Sequence, residues 1–143
     1  MTTSAQQGRR PDEVPTRTFD WGTIKWLVTP HLDEGVGLTT GEVIIQPGKG
    51  HAPHVHEHEE EVIYVISGEG EQTVGEGGEA FPVREGDAIH IPINTLHSTY
   101  NTTWRPLRLL VVYTPGGAET GLDALPDAKI LEPGVAPLWS QAN

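Results

Sequence analysis

The sequence predicts an all-β domain, a sandwich or barrel of short strands. Three observations carry this. Apolar runs are short and recur along the chain. Glycine (17) and proline (12) punctuate them. No run of ten or more residues carries a helical stripe; the nearest, at 120–129, is interrupted by Pro126.

Taken in order, residues 1–18 are polar and proline-containing and read as a flexible arm. Strand-like runs follow at 23–29, 36–46, 61–67, 69–74, 79–83, 88–91, 97–100 and 107–114, within a barrel spanning 19–115. Pro30, Gly35, Pro47-Gly48, Gly68, Gly86, Asn101 and Pro115-Gly116 supply turns between them. The run from Glu61 is apolar on both faces, with Ile63 and Val65 on one and Val62, Tyr64 and Ile66 on the other. It is therefore expected to be covered on both sides. Residues 116–143 keep Leu125, Ile130, Leu131, Leu138 and Trp139 and are expected to pack on the barrel or on a neighbouring subunit.

Twenty acidic residues against nine basic give a net charge of −11, which argues against nucleic acid or an anionic membrane as partner. No apolar run reaches bilayer-spanning length and the N-terminus lacks a hydrophobic signal core, so a cytoplasmic protein is expected. The absence of cysteine excludes disulfides and thiolate sites, leaving nitrogen and oxygen as metal donors.

Such donors are concentrated in two segments. His54 and His56 are two residues apart, so on a strand they project from one face. Glu61 follows five positions later, an odd spacing that requires the chain to turn within 57–60. His97 must arrive from another strand. Three imidazoles and one carboxylate suit one divalent transition metal: Mn, Fe, Ni, Cu or Zn. Ligating imidazoles must be unprotonated, so release is expected below about pH 6. Glu57, Glu59 and Glu60 read as a solvated acidic turn. His51 has the wrong strand parity relative to His54, and His58 lies in the turn, so both are read as non-ligands.

These two segments resemble the motifs of small single-domain cupins. The first has the form Gly-x5-His-x-His-x4-Glu-x6-Gly, met at Gly48, His54, His56, Glu61 and Gly68. The second, Gly-x5-Pro-x-Gly-x2-His-x3-Asn, is met at Gly86, Pro92, His97 and Asn101. Asn94 stands where the family usually has glycine, and asparagine tolerates the left-handed backbone that such a turn needs. The resemblance implies a double-stranded β-helix, a jelly-roll-like barrel, with a metal on His54, His56, Glu61 and His97. It also implies a homodimer.

Two functions from different classes follow. One is a metalloenzyme acting on a small oxygen-rich molecule by dioxygenase, isomerase or decarboxylase chemistry. The other is a non-catalytic barrel that binds or senses a small ligand. His90 and Tyr64 are the candidate catalytic groups, since a pocket-facing base would favour turnover. Gln46, Arg108 and Tyr100 are candidate substrate contacts, with Tyr113 a further polar pocket group. Arg108 interrupts an apolar strand, either to clamp a substrate carboxylate or as an outward edge residue. Trp104 resembles a turn residue, while Trp21 and Trp26 are candidates for the barrel mouth or a dimer contact.

Overall fold

The computed structural model describes residues 8–138. A 3-10 turn at Pro11–Glu13 precedes eleven strands: β1 Thr16–Phe19, β2 Gly22–Val28, β3 Thr39–Ile45, β4 Gly50–His54, β5 Glu60–Ser67, β6 Glu69–Val74, β7 Phe81–Arg84, β8 Ala88–Ile91, β9 His97–Tyr100, β10 Leu107–Thr114 and β11 Lys129–Leu131. One helix, α1, spans Ala118–Asp123. A seven-stranded sheet runs β11-β1-β2-β3-β10-β5-β8, and a four-stranded sheet runs β4-β9-β6-β7. All their pairings are antiparallel.

The strands form where residues alternate between the core and the outside. In β3 and β10 every second residue is buried, Val43 and Ile45 from one and Leu107, Leu109 and Val111 from the other. Each such side chain, fully removed from water, contributes roughly 1.5–3 kcal/mol. In β5 the inner residues Ile63 and Val65 are buried, whereas Val62 and Tyr64 remain 40% and 44% exposed on the outer face. Within the chain, then, β5 is covered on one side and not on both.

The N-terminal segment differs from a flexible arm wherever it is described. Residues 1–7 lie outside the described residues, but Val14 and Thr16 are buried and β1 pairs with β2. The Arg9 guanidinium makes two hydrogen bonds to Asp33, at 2.8 and 3.0 Å, and a third to the Leu27 carbonyl. The C-terminal segment folds back: β11 pairs with β1, and Leu122 of α1 is buried in the core. Trp139 lies outside the described residues. Trp26 is in the core, with its indole N–H donating to Asp123 at 3.2 Å, and Trp104 is an exposed turn residue. Among the described residues, no helix is long and apolar enough to cross a membrane.

Strand β2 approaches β3 closely at Gly22, where an added Cβ would overlap the Ile44 carbonyl oxygen. Backbone, unlike a flexible side chain, has little room to yield. Gly22→Ala is therefore expected to lower stability by roughly 1–3 kcal/mol, read as a drop in the urea midpoint with native circular dichroism retained. An unchanged midpoint would contradict this close packing.

Candidate metal centre

The two motif segments meet inside the barrel. Strand β4 ends at His54, residues 55–59 turn, and β5 begins at Glu60, so the turn required between His56 and Glu61 is present. His97 opens β9 directly opposite His54. The His56 carbonyl accepts a 2.8 Å hydrogen bond from the backbone N–H of Asn94, whose φ is +54°. Asparagine thus adopts the left-handed turn expected of a glycine, and the turn anchors the His56 segment.

One ring nitrogen from each of His54, His56 and His97 lies within 4.8 Å of the other two. Two nitrogens each ~2.1 Å from one ion are at most about 4.2 Å apart, so slight closure brings all three onto a single cation. Glu61 Oε1 is 3.1 Å from His97 Nε2 and 3.6 Å from His56 Nε2. His54 Nδ1–H donates to the Ala52 carbonyl and His97 Nδ1–H to the Thr95 carbonyl, each at 2.8 Å. A neutral ring held in this way presents a lone pair at Nε2.

The fit to a cation follows from what is left unpaired. Among the described residues, His56 Nε2, His97 Nε2 and Glu61 Oε1 are buried and have no hydrogen-bond partner. Buried polar atoms left unpaired beside a carboxylate are costly unless something positive lies between them. A nitrogen- and oxygen-ligated divalent metal satisfies all three at once. The cluster fits a metal-binding barrel.

Tyr113 supports Glu61 from behind. It stands opposite Glu61 in the β10–β5 register, with its phenol beside the carboxylate. Burial first, and then the Glu61 charge, pushes the phenol well above its ordinary range, so it remains a donor. Tyr113 also packs edge-on against His56, with centroids 5.0 Å apart. Its place opposite Glu61 depends on register, which the sequence alone does not reveal.

His51 also differs from its expected place. The β4–β9 pairing matches His51 to Thr99 and His54 to His97, three residues against two. This bulge, at the exposed Ala52 and Pro53, reverses the strand parity and turns His51 to the same face as His54. His51 stacks between Trp21 (5.1 Å) and His54 (3.8 Å), with interplanar angles of 26° and 29°. It lines a cavity of about 30 Å³ together with His54, Glu61 and His97.

The remaining candidates lie elsewhere. His90 and Tyr64 share the outer face of the seven-stranded sheet; His90 is exposed and pairs with Glu60 at 3.0 Å. Alternation in β5 and β8 gives the inner face to Glu61, Ile63, Ile89 and Ile91, so neither catalytic candidate reaches the cavity. Arg108 faces outward on β10, between β3 and β5, and is bound to Glu42 at 2.9 and 3.1 Å, away from the cavity. Tyr100 is exposed and covers Gly50. Gln46 follows the end of β3, with its backbone N–H on the Trp21 carbonyl, and does not line the cavity. His58 is exposed in the turn.

Burial lowers the affinity of these rings for protons. His54 falls to about 2, and His51 and His56 to about 4, with desolvation the largest cause in each case and neighbouring imidazoles adding to it. In an unfolded chain the same rings titrate near ~6.5. Below that pH the unfolded state binds protons that the folded state refuses, so stability falls as pH falls. The metal-free protein is therefore expected to lose melting temperature steadily from about pH 6.5 towards 4; a flat melting temperature over that window would contradict the burial of these rings.

Comparison with known proteins agrees with this architecture. The cupin domain model matches residues 41–113. The uncharacterized protein MJ1618 of Methanocaldococcus jannaschii is 34% identical over 101 residues, covering 71% of this chain and 79% of that protein. A predicted oxalate decarboxylase from Thermotoga maritima superposes with a TM-score of 0.63 at 25% identity, covering 74% of this chain and 96% of that one. Bacillus subtilis oxalate decarboxylase, a protein with Mn(II) centres, gives a TM-score of 0.69 at 24% identity over 82% of this chain. The match spans only 31% of that longer chain. With two spaced motifs in one barrel and a family match over half its length, the chain belongs to the cupin family.

Proposed function

We propose that this cupin is a metal-dependent enzyme acting on a small oxygen-rich molecule. His54, His56, Glu61 and His97 would hold one divalent transition metal, Mn, Fe, Ni, Cu or Zn. The observation that carries this reading is the convergence of three buried polar atoms, unpartnered among the described residues, within reach of His54. The Mn(II) centres of the B. subtilis neighbour support manganese as a starting point. When bound, such a metal supplies Lewis acidity toward a chelating oxygen ligand.

The chain's own residues then have separable tasks. The Ala52 and Thr95 carbonyls orient the rings of His54 and His97, Tyr113 orients Glu61, and the apolar walls exclude water. Dioxygenation, isomerisation or decarboxylation of an oxygen-rich ligand would each be within reach of a metal held by these residues. The second reading, a binding or sensing barrel, is favoured by the outward placement of His90 and Tyr64, which removes both expected catalytic groups from the cavity. An oxygen-uptake and product screen of anaerobically purified, metal-loaded protein over hydroxy acids, diketones, catechols and sugar acids separates the two. Turnover supports the enzyme, and binding without turnover supports the sensor.

A homodimer is part of the same proposal. Exposed Val62 and Tyr64, with Ala88 beside Tyr64, form an apolar centre on the outer sheet face. Ion pairs Glu60–His90 and Glu42–Arg108 lie on that same sheet, so its flanking charges are already balanced. A second copy with the same face would bury this centre. Light scattering that returns the mass of two chains is expected, and a single-chain mass would reject it.

The metal assignment predicts that His54→Ala and the near-isosteric Glu61→Gln lose most bound metal by elemental analysis while keeping a native circular dichroism spectrum. His90→Ala and Arg108→Ala, both on the outer face, are expected to keep full metal content. Undiminished metal in the first pair would refute the ligand set.

A further inference from the structure

We propose that His51 determines ligand specificity at this centre, and that the ligand it faces is a small oxygen chelator carrying one negative charge and a hydroxyl. This rests on the metal reading above.

The polar groups lining the cavity can be accounted for one by one. His54 Nδ1–H is committed to the Ala52 carbonyl. The Thr99 hydroxyl donates to Gln72 Oε1 at 2.6 Å. The Tyr113 phenol lies beside the Glu61 carboxylate, opposite it in the β10–β5 register. Most of the remaining wall is aliphatic, and no lysine or arginine lines it. His51 is left over: among the described residues, neither of its ring nitrogens has a hydrogen-bond partner, and Trp21, which backs it, offers a donor only. Its neighbours prevent it from swinging away, because it is sandwiched between Trp21 and His54. The β4 bulge that turns it inward is a device found beside functional sites.

Charge and size then select the ligand. Three neutral imidazoles and one carboxylate around a dication leave a single positive charge. A singly charged chelator neutralises it, whereas a dianion would leave one net negative charge among apolar walls with no cation to pair it. The cavity of about 30 Å³ is small and admits only a ligand of few heavy atoms. An imidazole that can both donate and accept is matched by a hydroxyl, which can do the same.

The test uses full-length protein loaded with cobalt(II), titrated with glycolate, acetate and oxalate and followed by visible absorption. His51→Phe keeps an aromatic ring in the stack and removes both nitrogens; His51→Gln restores a donor and an acceptor. Equal cobalt content is expected in wild type and both variants. Wild type is expected to bind glycolate more tightly than oxalate. His51→Phe is expected to lose about tenfold in glycolate affinity, with acetate unchanged and His51→Gln recovering part of the loss. Equal glycolate affinity in wild type and His51→Phe overturns the role of His51, as does loss of cobalt from either variant. Tighter oxalate than glycolate, or no glycolate binding by wild type, overturns the ligand class. Failure of wild type to bind cobalt is seen before any ligand is added, and it overturns the metal reading itself.

Discussion

Three unpaired polar atoms, from His56, His97 and Glu61, face one another in the interior of this barrel. His97 Nε2 and Glu61 Oε1 are 3.1 Å apart, with both residues almost fully buried and neither atom hydrogen-bonded. A folded chain does not keep such an arrangement without compensation, because each unpaired buried acceptor costs on the order of 1–3 kcal/mol. A cation is the compensation that the donor set fits. The surrounding structure makes sense as a frame that holds these atoms in place.

That frame consists of backbone as much as side chains. Carbonyls of Ala52 and Thr95 fix two ring orientations, and the left-handed turn at Asn94 ties the His56 segment to the loop before β9. The bulge in β4 brings His51 alongside His54. Behind them, Phe19 stacks on Trp21 with centroids 5.0 Å apart, so the aromatic column that begins at His54 ends in the hydrophobic core. Shifting one ring therefore disturbs packing several residues away, which is how a dense core confers rigidity on a site.

The legible part of this molecule was whatever depends on spacing. Short strands between glycine and proline turns, the His-x-His pair and the odd interval to Glu61 all follow from counting residues, and counting forces a turn within 57–60, where the structure turns at 55–59. Parity fails where the count changes. Strict alternation puts His51 on the wrong face because a bulge adds one residue to β4, and the sequence carries no mark of it beyond Pro53. Composition failed at the N-terminus, where polar residues nonetheless supply β1 and the Arg9–Asp33 contact. The chemistry of Tyr64, His90 and Arg108 says nothing of their facing, and alternation in β5, β8 and β10 sends them outward; Tyr100 is exposed at the end of β9. Tyr113 became important only through its register opposite Glu61.

X-ray absorption at the metal edge of the loaded protein tests the central claim most directly. The account predicts a first shell of nitrogen and oxygen near ~2.0–2.2 Å, with outer-shell scattering from three imidazole rings. A shell of oxygen alone, or scattering from at most one imidazole, would contradict it, because His54, His56 and His97 would then not converge on the ion.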